Sequence, residues 1–592
     1  VNRRSLLGGA LALPFVARVN AAPFARVRPG QPGWPSEAAW DDLGHRIVGR
    51  LMKGGSALDA CRGDPAGAPC ADVFKGLKNP YFIGDDPGLT QTTGWVDAWT
   101  AQPSAYVVAA RTAADVAAAV AFARDNRLRL VVKGGGHSYL GTSSAPDSLM
   151  VWTHAMNEIV LHDRFTAQGC NGARPAVSVG GGALWMQTYN KVTTVGGRYV
   201  QGGGCGTVGV AGLLQGGGFG SYSKNYGLAA ASLLEAEIVT ADGAVRIANA
   251  CTNPDLFWGL KGGGGGTFGV VTRVTLATHE LPSFFGGLSV VIDAKSDVAF
   301  RTLVDGFMAF YAESLANRHW GEIANVRPGR KLDLQMACQG LSLEELGATW
   351  QPFLDWIESS PLDFAFEEKP RLRVAPARHR WDPDFIRKFA PGALRTDDRA
   401  GASSDKVYWT ANVAEAGHFI HQFESAWLPA QLLQTDRRAA LVDALVVAAR
   451  HSTVEIHFQK GLAGGAPEAI AAARDTAMNP AVLDAFALAI VASEGPPAYP
   501  GLIGREPDLR EARQNAEKVR RGMAELRKLV PGAGAYVAES SYFQPDWQIA
   551  YWGGNYVRLR AVKQKYDPDG LFFVHHGVGS EDWSPDGFTR LI

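Results

Sequence analysis

The chain has 592 residues, 46% of them hydrophobic and 20% charged, a balance that excludes a disordered chain and allows about three to five domains. Lys+Arg and Asp+Glu both total 58, so the basic footprint that nucleic-acid binding requires is absent. Six cysteines are too few for a disulfide scaffold, whereas 69 glycines far exceed the usual share of about 7%.

Residues 1–25 read as a signal peptide: Arg3-Arg4 precede Ser5-Leu6-Leu7, an apolar run to Val16 and small residues at Ala21-Ala22. The apolar run is far short of the roughly 20 residues that cross a bilayer, so no membrane span is expected. Twin arginines followed by Leu-Leu resemble a bacterial Tat signal and imply a periplasmic or secreted protein. Residues 26–98 are rich in Pro, Gly and Trp without a sustained period, and form an N-terminal extension. Within them Cys61 and Cys70 enclose a loop of turn formers, which in an exported chain reads as a local disulfide; free thiols are the alternative.

A βαβ pattern follows. Tyr106–Ala110 is a strand, Thr112 caps an Ala- and Val-rich helix to about Asn126, and Leu128–Val132 is the next strand. Leu149–Trp152, Ala176–Val179, Leu234–Thr240 and Val270–Leu276 are further strands. From 281 to 535 the texture changes to alternating stretches, such as Gly287–Ile292 and Lys331–Met336, with amphipathic helices at 296–318, 343–358 and 508–529.

Two glycine clusters organise this frame. The first, Lys133-Gly134-Gly135-Gly136-His137-Ser138, breaks from a strand; the second is Gly204-Cys205-Gly206-Thr207-Val208-Gly209, followed by Gly216-Gly217-Gly218. Glycine permits positive φ and close backbone approach, and successive N–H groups can then converge on a pyrophosphate. The second cluster and Gly264–Gly269 both fit G-x-G-x-x-G, but neither has the strand–turn–helix context or the later carboxylate of a Rossmann site.

These clusters resemble the vanillyl-alcohol-oxidase-type flavoproteins, in the berberine-bridge-enzyme-like branch, over most of 99–280 and again at 536–579. The resemblance implies an α+β fold: a two-subdomain PCMH-type FAD-binding domain at 99–280, and a substrate domain at 281–535 with an antiparallel sheet over the flavin. A C-terminal segment at 536–592 would return to the FAD domain. It also implies two covalent bonds to FAD, from His137 to the 8α-methyl carbon and from Cys205 to C6. Thiolate character at Cys205, favoured by nearby N–H dipoles, would serve the second bond. The remaining residues of both clusters, Lys133 to Ser138 and Gly204 to Gly209, would contact the cofactor, together with Gly212, Gly227 and Ile238. Val208 is small, which in such proteins leaves room for O2 and points to an oxidase.

The base is where the pattern departs from the family. Relatives carry Tyr-x-Asn-Tyr, but here the run is Tyr542-Phe543-Gln544-Pro545, and proline moves no proton. Tyr542, with Gln544 at the amide position, is one candidate if its neighbours lower its phenolic pKa from about 10. His457 is another: strand alternation in Val454–Lys460 places Glu455, His457 and Gln459 on one face and Lys460 on the other. His575-His576 do not suggest a metal site, because neighbours on a strand point to opposite faces and no third ligand joins them. The expected activity is oxidation of a small hydroxylated substrate, an oligosaccharide or other alcohol, with O2 as acceptor. Alternatives are a dehydrogenase, an oxidative cyclase of an aromatic or alkaloid-like metabolite, and a flavin-loaded binding protein without turnover.

Overall fold

The computed structural model describes residues 24–591. The expected signal segment lies outside the described residues except for Phe24 and Ala25. Ala25 bridges Thr589, and the Arg590 N–H donates to the Phe24 carbonyl at 2.9 Å. Arg26 then runs inward, donating to the Gly587 and Leu571 carbonyls with its guanidinium 4.0 Å over the Trp583 ring. Among the described residues no helix is long and apolar enough to cross a membrane.

The architecture is the α+β arrangement expected. A four-stranded sheet runs in the order Arg50–Lys53, Tyr106–Ala109, Ser148–Trp152, Arg129–Lys133, with its last three strands parallel. The helix Ala113–Asp125 covers it. Thr112 and Asp115 form a capping box, and Val116, Ala119, Val120 and Ala123 are buried at helical spacing. Beside it an antiparallel five-stranded sheet runs Val245–Asn249, Leu233–Val239, Val270–Ala277, Arg174–Gly180, Ile159–Phe165. The Cys61–Cys70 disulfide is present. A second, Cys170–Cys251, joins the loop after Ile159–Phe165 to the end of Val245–Asn249.

A nine-stranded sheet forms the other half, with Trp320–Arg327, Val454–His457, Ala485–Glu494 and His418–Pro429 at its centre. Its pairs are antiparallel except where Thr92–Trp95 joins His418–Pro429 in parallel, so residues before the first glycine cluster supply an edge of this sheet. Helices Asp297–Phe310, Leu343–Glu358, Thr435–Ala449 and Leu509–Leu529 bury their apolar faces on one side of it, around Phe307, Trp350, Leu445 and Met523. The helix expected over 296–318 changes to π geometry at Tyr311–Leu315.

The sheet's opposite side meets the glycine clusters. A Cβ on Gly321 would lie 1.9 Å from the Ser221 carbonyl, so the two backbones touch there. Lys224 is fully buried and donates to the Gly461, Ala463 and Phe486 carbonyls at 2.7, 2.8 and 3.1 Å, pinning the chain after the second cluster to this sheet. The C-terminal segment closes the junction: Phe572 bridges Leu130 in parallel, and buried Lys563 donates to the Thr267 and Phe572 carbonyls and to Asp567.

Candidate active site

Strand Arg129–Lys133 ends at Gly134, and the loop after it presses backbone on backbone against the second cluster. A Cβ on Gly135 would sit 2.6 Å from the Gly209 nitrogen, and one on Gly209 would sit 2.9 Å from the Gly135 nitrogen. No side chain fits at either place. Gly136 adds a φ of +73°, which turns the chain so that His137 points along the junction.

There His137 and Cys205 meet over Thr207. His137 Nε2 lies 3.2 Å from Thr207 Oγ1 and Cys205 Sγ lies 3.7 Å from it, while Gln91 Nε2 reaches the same hydroxyl at 3.5 Å. Burial pushes the His137 imidazole down to about 4, so it is neutral at pH 7 and keeps a lone pair. Cys205 behaves oppositely to the sequence expectation. Burial, reinforced by the Glu415 carboxyl, pushes its thiol up to about 12, outweighing the Thr207 hydrogen bonds that favour thiolate. Glu415 Oε2 is 3.4 Å from Sγ, and Asn412 Nδ2 lies 3.4 Å from Sγ and 2.9 Å from Glu415 Oε1.

The ligating atoms of His137, Cys205 and Glu415 lie within 4.8 Å of one another, a convergence that the sequence did not show. Three such groups could hold a metal ion. Two of them stand at the positions that the flavin resemblance assigns, at the glycine junction, and we read the group as a flavin-attachment site.

The second cluster and the helix after it are open at two glycines. A Cβ on Gly204 or Gly212 would meet nothing within 4 Å, and the Gly264 N–H donates to the Gln215 carbonyl alongside. Gln215 Oε1 and Thr267 Oγ1 are buried here without a partner. Unpartnered buried polar atoms are costly, and their place beside open glycine backbone fits a polar cofactor such as FAD. Val208 is half-buried beside Trp185, whose N–H donates to its carbonyl. The Gly206 α-carbon lies so near Met186 that a Cβ would come within 2.8 Å of it. Ser138 Oγ accepts from the Thr142 N–H and hydroxyl, fixing the loop after His137.

Three further residues expected to contact the cofactor have protein partners in the structure. Lys133 is buried and turned away from the junction, its ammonium donating to the Asp86, Pro87 and Leu89 carbonyls. It ties residues 86–89 to the loop instead of meeting a phosphate. The Ile238 side chain is fully buried in the core beneath the five-stranded sheet. Gly227 uses φ +81° to end the short helix Ser223–Tyr226 and lies against Ala469.

The catalytic candidates also separate. Strand geometry stops at His457 and a 3₁₀ turn, Phe458–Lys460, follows, which corrects the expected alternation. Ile456 and Phe458 stay in the core, but the turn swings Lys460 away from them into an ion pair with Glu539. Glu455, His457 and Gln459 remain together: His457 Nε2 is 2.9 Å from Glu455 Oε2 and Nδ1 is 3.4 Å from Gln459 Nε2. Gln459 leads on to Glu322, which accepts from Ser221 at the end of the glycine run.

Tyr542 does not meet its requirement, since burial pushes its phenol up and Arg129 only partly offsets this. Its ring stacks 3.7 Å from His575. The Gln544 amide is engaged by the Pro545 carbonyl and Arg527. His575 and His576 are not on a strand: a φ of +53° at His576 stacks the two rings 3.8 Å apart on the same side. Sequence reasoning also passed over Tyr139, which stacks on Phe423 and whose phenol is driven up by burial and the charges of Glu539 and Glu415.

Comparison with known proteins agrees with this geometry. The FAD binding domain family matches residues 103–249, and the berberine and berberine-like family matches residues 535–579. The FAD-linked oxidoreductase easE of Trichophyton verrucosum is 30% identical over 95% of this chain and 91% of its own length. The VAO-type flavoprotein oxidase VAO615 of Thermothelomyces thermophilus is 29% identical over 98% of this chain and 97% of its own. The crystal structure of VAO-type flavoprotein MtVAO615 from Myceliophthora thermophila C1 superposes with a TM-score of 0.78 at 25% identity, covering 96% of this chain and all of that one. Likeness of this extent to oxidoreductases sets aside a binding protein without turnover. The glycine junction, the open glycines beside it and the full-length likeness together make the chain an FAD-linked oxidoreductase that belongs to the vanillyl-alcohol-oxidase-type, berberine-bridge-enzyme-like family.

Proposed function

We propose that the protein is an exported oxidase that holds FAD by two covalent bonds and oxidises a hydroxylated small molecule with O2, releasing H2O2. The observation that carries this is the convergence of His137 Nε2 and Cys205 Sγ on Thr207 at the Gly135–Gly209 junction. Glucooligosaccharide oxidase from Acremonium strictum, 19% identical with a TM-score of 0.64, carries a 6-S-cysteinyl, 8α-N1-histidyl FAD. That pair of bonds, from one histidine and one cysteine, is the one proposed for His137 and Cys205. Bound FAD supplies the hydride acceptor at N5.

The residues of this chain would do the rest. His137, neutral and held by Thr207, would hold the flavin through its ring nitrogen. His457 accepts the substrate hydroxyl proton at Nδ1 as the Gln459 amide yields, and Glu455 at Nε2 fixes the tautomer and stabilises the imidazolium. Val208 leaves space for O2. The expected signal segment, shortened from 1–25 to end ahead of Phe24 because Ala25 and Arg26 are tied into the folded body, would direct export.

A second reading, a dehydrogenase or oxidative cyclase acting on an aromatic metabolite, is favoured by the aromatic pairs Tyr139–Phe423 and Trp95–Tyr542. Acid precipitation tests the attachment: a yellow pellet from wild type, and a colourless one only from the His137→Ala, Cys205→Ala double variant, supports two bonds. A colourless wild-type pellet would overturn it. Anaerobic mixing with alcohols and with aromatic substrates, followed by peroxide detection on admitting air, separates the two activities.

A further inference from the structure

We propose that Glu415 is the base that takes the Cys205 thiol proton when the sulfur bonds to the flavin, with Asn412 positioning both groups. The proposal rests on the two-bond reading above. Its basis is local geometry. Residues Thr410–Glu415 form a 3₁₀ turn, in which side chains three apart eclipse, so Asn412 and Glu415 project together. They project onto Cys205. Glu415 Oε2 is 3.4 Å from Sγ, and the Asn412 amide donates to Glu415 Oε1 at 2.9 Å while lying 3.4 Å from Sγ.

Cys205 cannot ionise unaided, because burial holds its thiol at about 12. Of the groups hydrogen-bonded to Sγ, Thr207 and Asn412 are not proton acceptors at neutral pH, and Glu415 is. The buried Glu415 carboxyl is itself shifted up, which makes it a stronger acceptor than a surface glutamate. The histidine nucleophile needs no such deprotonation, since His137 is already neutral.

The step balances. The thiol proton passes to Glu415 Oε2 as Sγ forms its bond to the flavin C6. The C6 hydrogen leaves as a second proton, and O2 accepts the two electrons and two protons to leave as H2O2. The groups that set the proton affinity of Glu415 are Asn412, Cys205, His418 and Glu494, with Tyr139 facing the pair from the first loop.

The test follows the Cys205 bond itself. Freshly folded wild type, Glu415→Gln and Glu415→Ala are digested over time, and mass spectrometry quantifies the His137 peptide joined through FAD to the Cys205 peptide. In wild type the joined pair should form at a rate that levels off once Glu415 is ionised. In Glu415→Gln the FAD should stay on His137, which shows a folded site. The second bond should form at least tenfold more slowly, at a rate that still climbs into alkaline pH. Added acetate should restore part of the rate in Glu415→Ala, which a merely structural role would not allow. A Glu415→Gln protein that forms the joined pair at the wild-type rate overturns the assignment, and so does a slowed Glu415→Ala that acetate does not rescue. A wild type without the joined pair overturns the two-bond reading and this proposal with it.

Discussion

The floor and the roof of the site are built from different parts of the amino acid. On the floor, Gly135 and Gly209 touch through main-chain atoms, and the backbone around them is open at the α-carbons of Gly204 and Gly212. On the roof, the Glu455–His457–Gln459–Glu322 line and the Lys460–Glu539 pair are side chains brought in from distant strands and from the C-terminal segment. A floor of this kind tolerates no added atom. A roof of side chains can lose a group and keep its shape, so substitutions on the two should fail in different ways.

The sharpest contrast comes from one methyl group. Gly135→Ala would bring a Cβ within 2.6 Å of the Gly209 nitrogen, which neither loop can yield without parting from the other. Its expected outcome is protein with no retained flavin, read as the absorbance of an acid-washed pellet. His457→Asn on the roof should leave the flavin in place and slow anaerobic bleaching by about 10²–10⁴-fold, the usual contribution of a positioned base. A His457→Asn enzyme that bleaches at the wild-type rate would move the base elsewhere, with Glu539 the next group to replace.

The same division explains what could be read from the sequence. The floor is contiguous in the chain, so its glycine clusters, its histidine and its cysteine are visible as motifs. The roof is not. Glu322, Glu455, His457 and Glu539 span more than 200 residues and meet only after the nine-stranded sheet sets its register. Periodicity gave the strand at Val454 but not the 3₁₀ turn that redirects Lys460. The error at Cys205 has the same origin. Its local N–H dipoles favour thiolate, but burial outweighs them, and Glu415, arriving from 210 residues away, reinforces it. Cys170 and Cys251 pair because the loop after Ile159–Phe165 crosses to the far edge of its sheet, where Asn249 Nδ2 donates to the Gln168 carbonyl at 2.9 Å, which spacing alone does not reveal.

Between floor and roof stand buried cations whose loss should cost stability more than chemistry. Lys224→Met would leave the Gly461, Ala463 and Phe486 carbonyls without their donor. At about 1–3 kcal/mol for an unsatisfied buried group, Tm should fall by several degrees while flavin retention per folded molecule is unchanged. Acid should act in the same range. Burial holds His279 at about 4 against about 6.5 when unfolded, so the unfolded chain binds the extra proton between those values. The stability of its neutral form is present above pH 6.5 and is lost as pH falls through 4. Tm should therefore drop over that interval, and His279→Gln should flatten the drop. An unchanged slope in that variant would assign the acid sensitivity to other groups.

The smallest effect is expected at the residue the sequence first offered as base. Tyr542 lies face to face with His575 at 3.7 Å, next to the His575–His576 stack and 6.2 Å from Trp95, and burial raises the affinity of its phenol for the proton. A base needs the reverse. Tyr542→Phe keeps the ring and its stacking while deleting the hydroxyl, so the rate of anaerobic flavin bleaching should stay within about twofold of wild type, against the 10²–10⁴-fold expected of a true base. Tyr542→Ala should instead lower Tm, because the lost surface is aromatic packing against His575 and Trp95. A hundredfold slower Tyr542→Phe enzyme with an unchanged Tm would return the proton transfer to the C-terminal segment and reduce the His457–Glu455 pair to a structural contact.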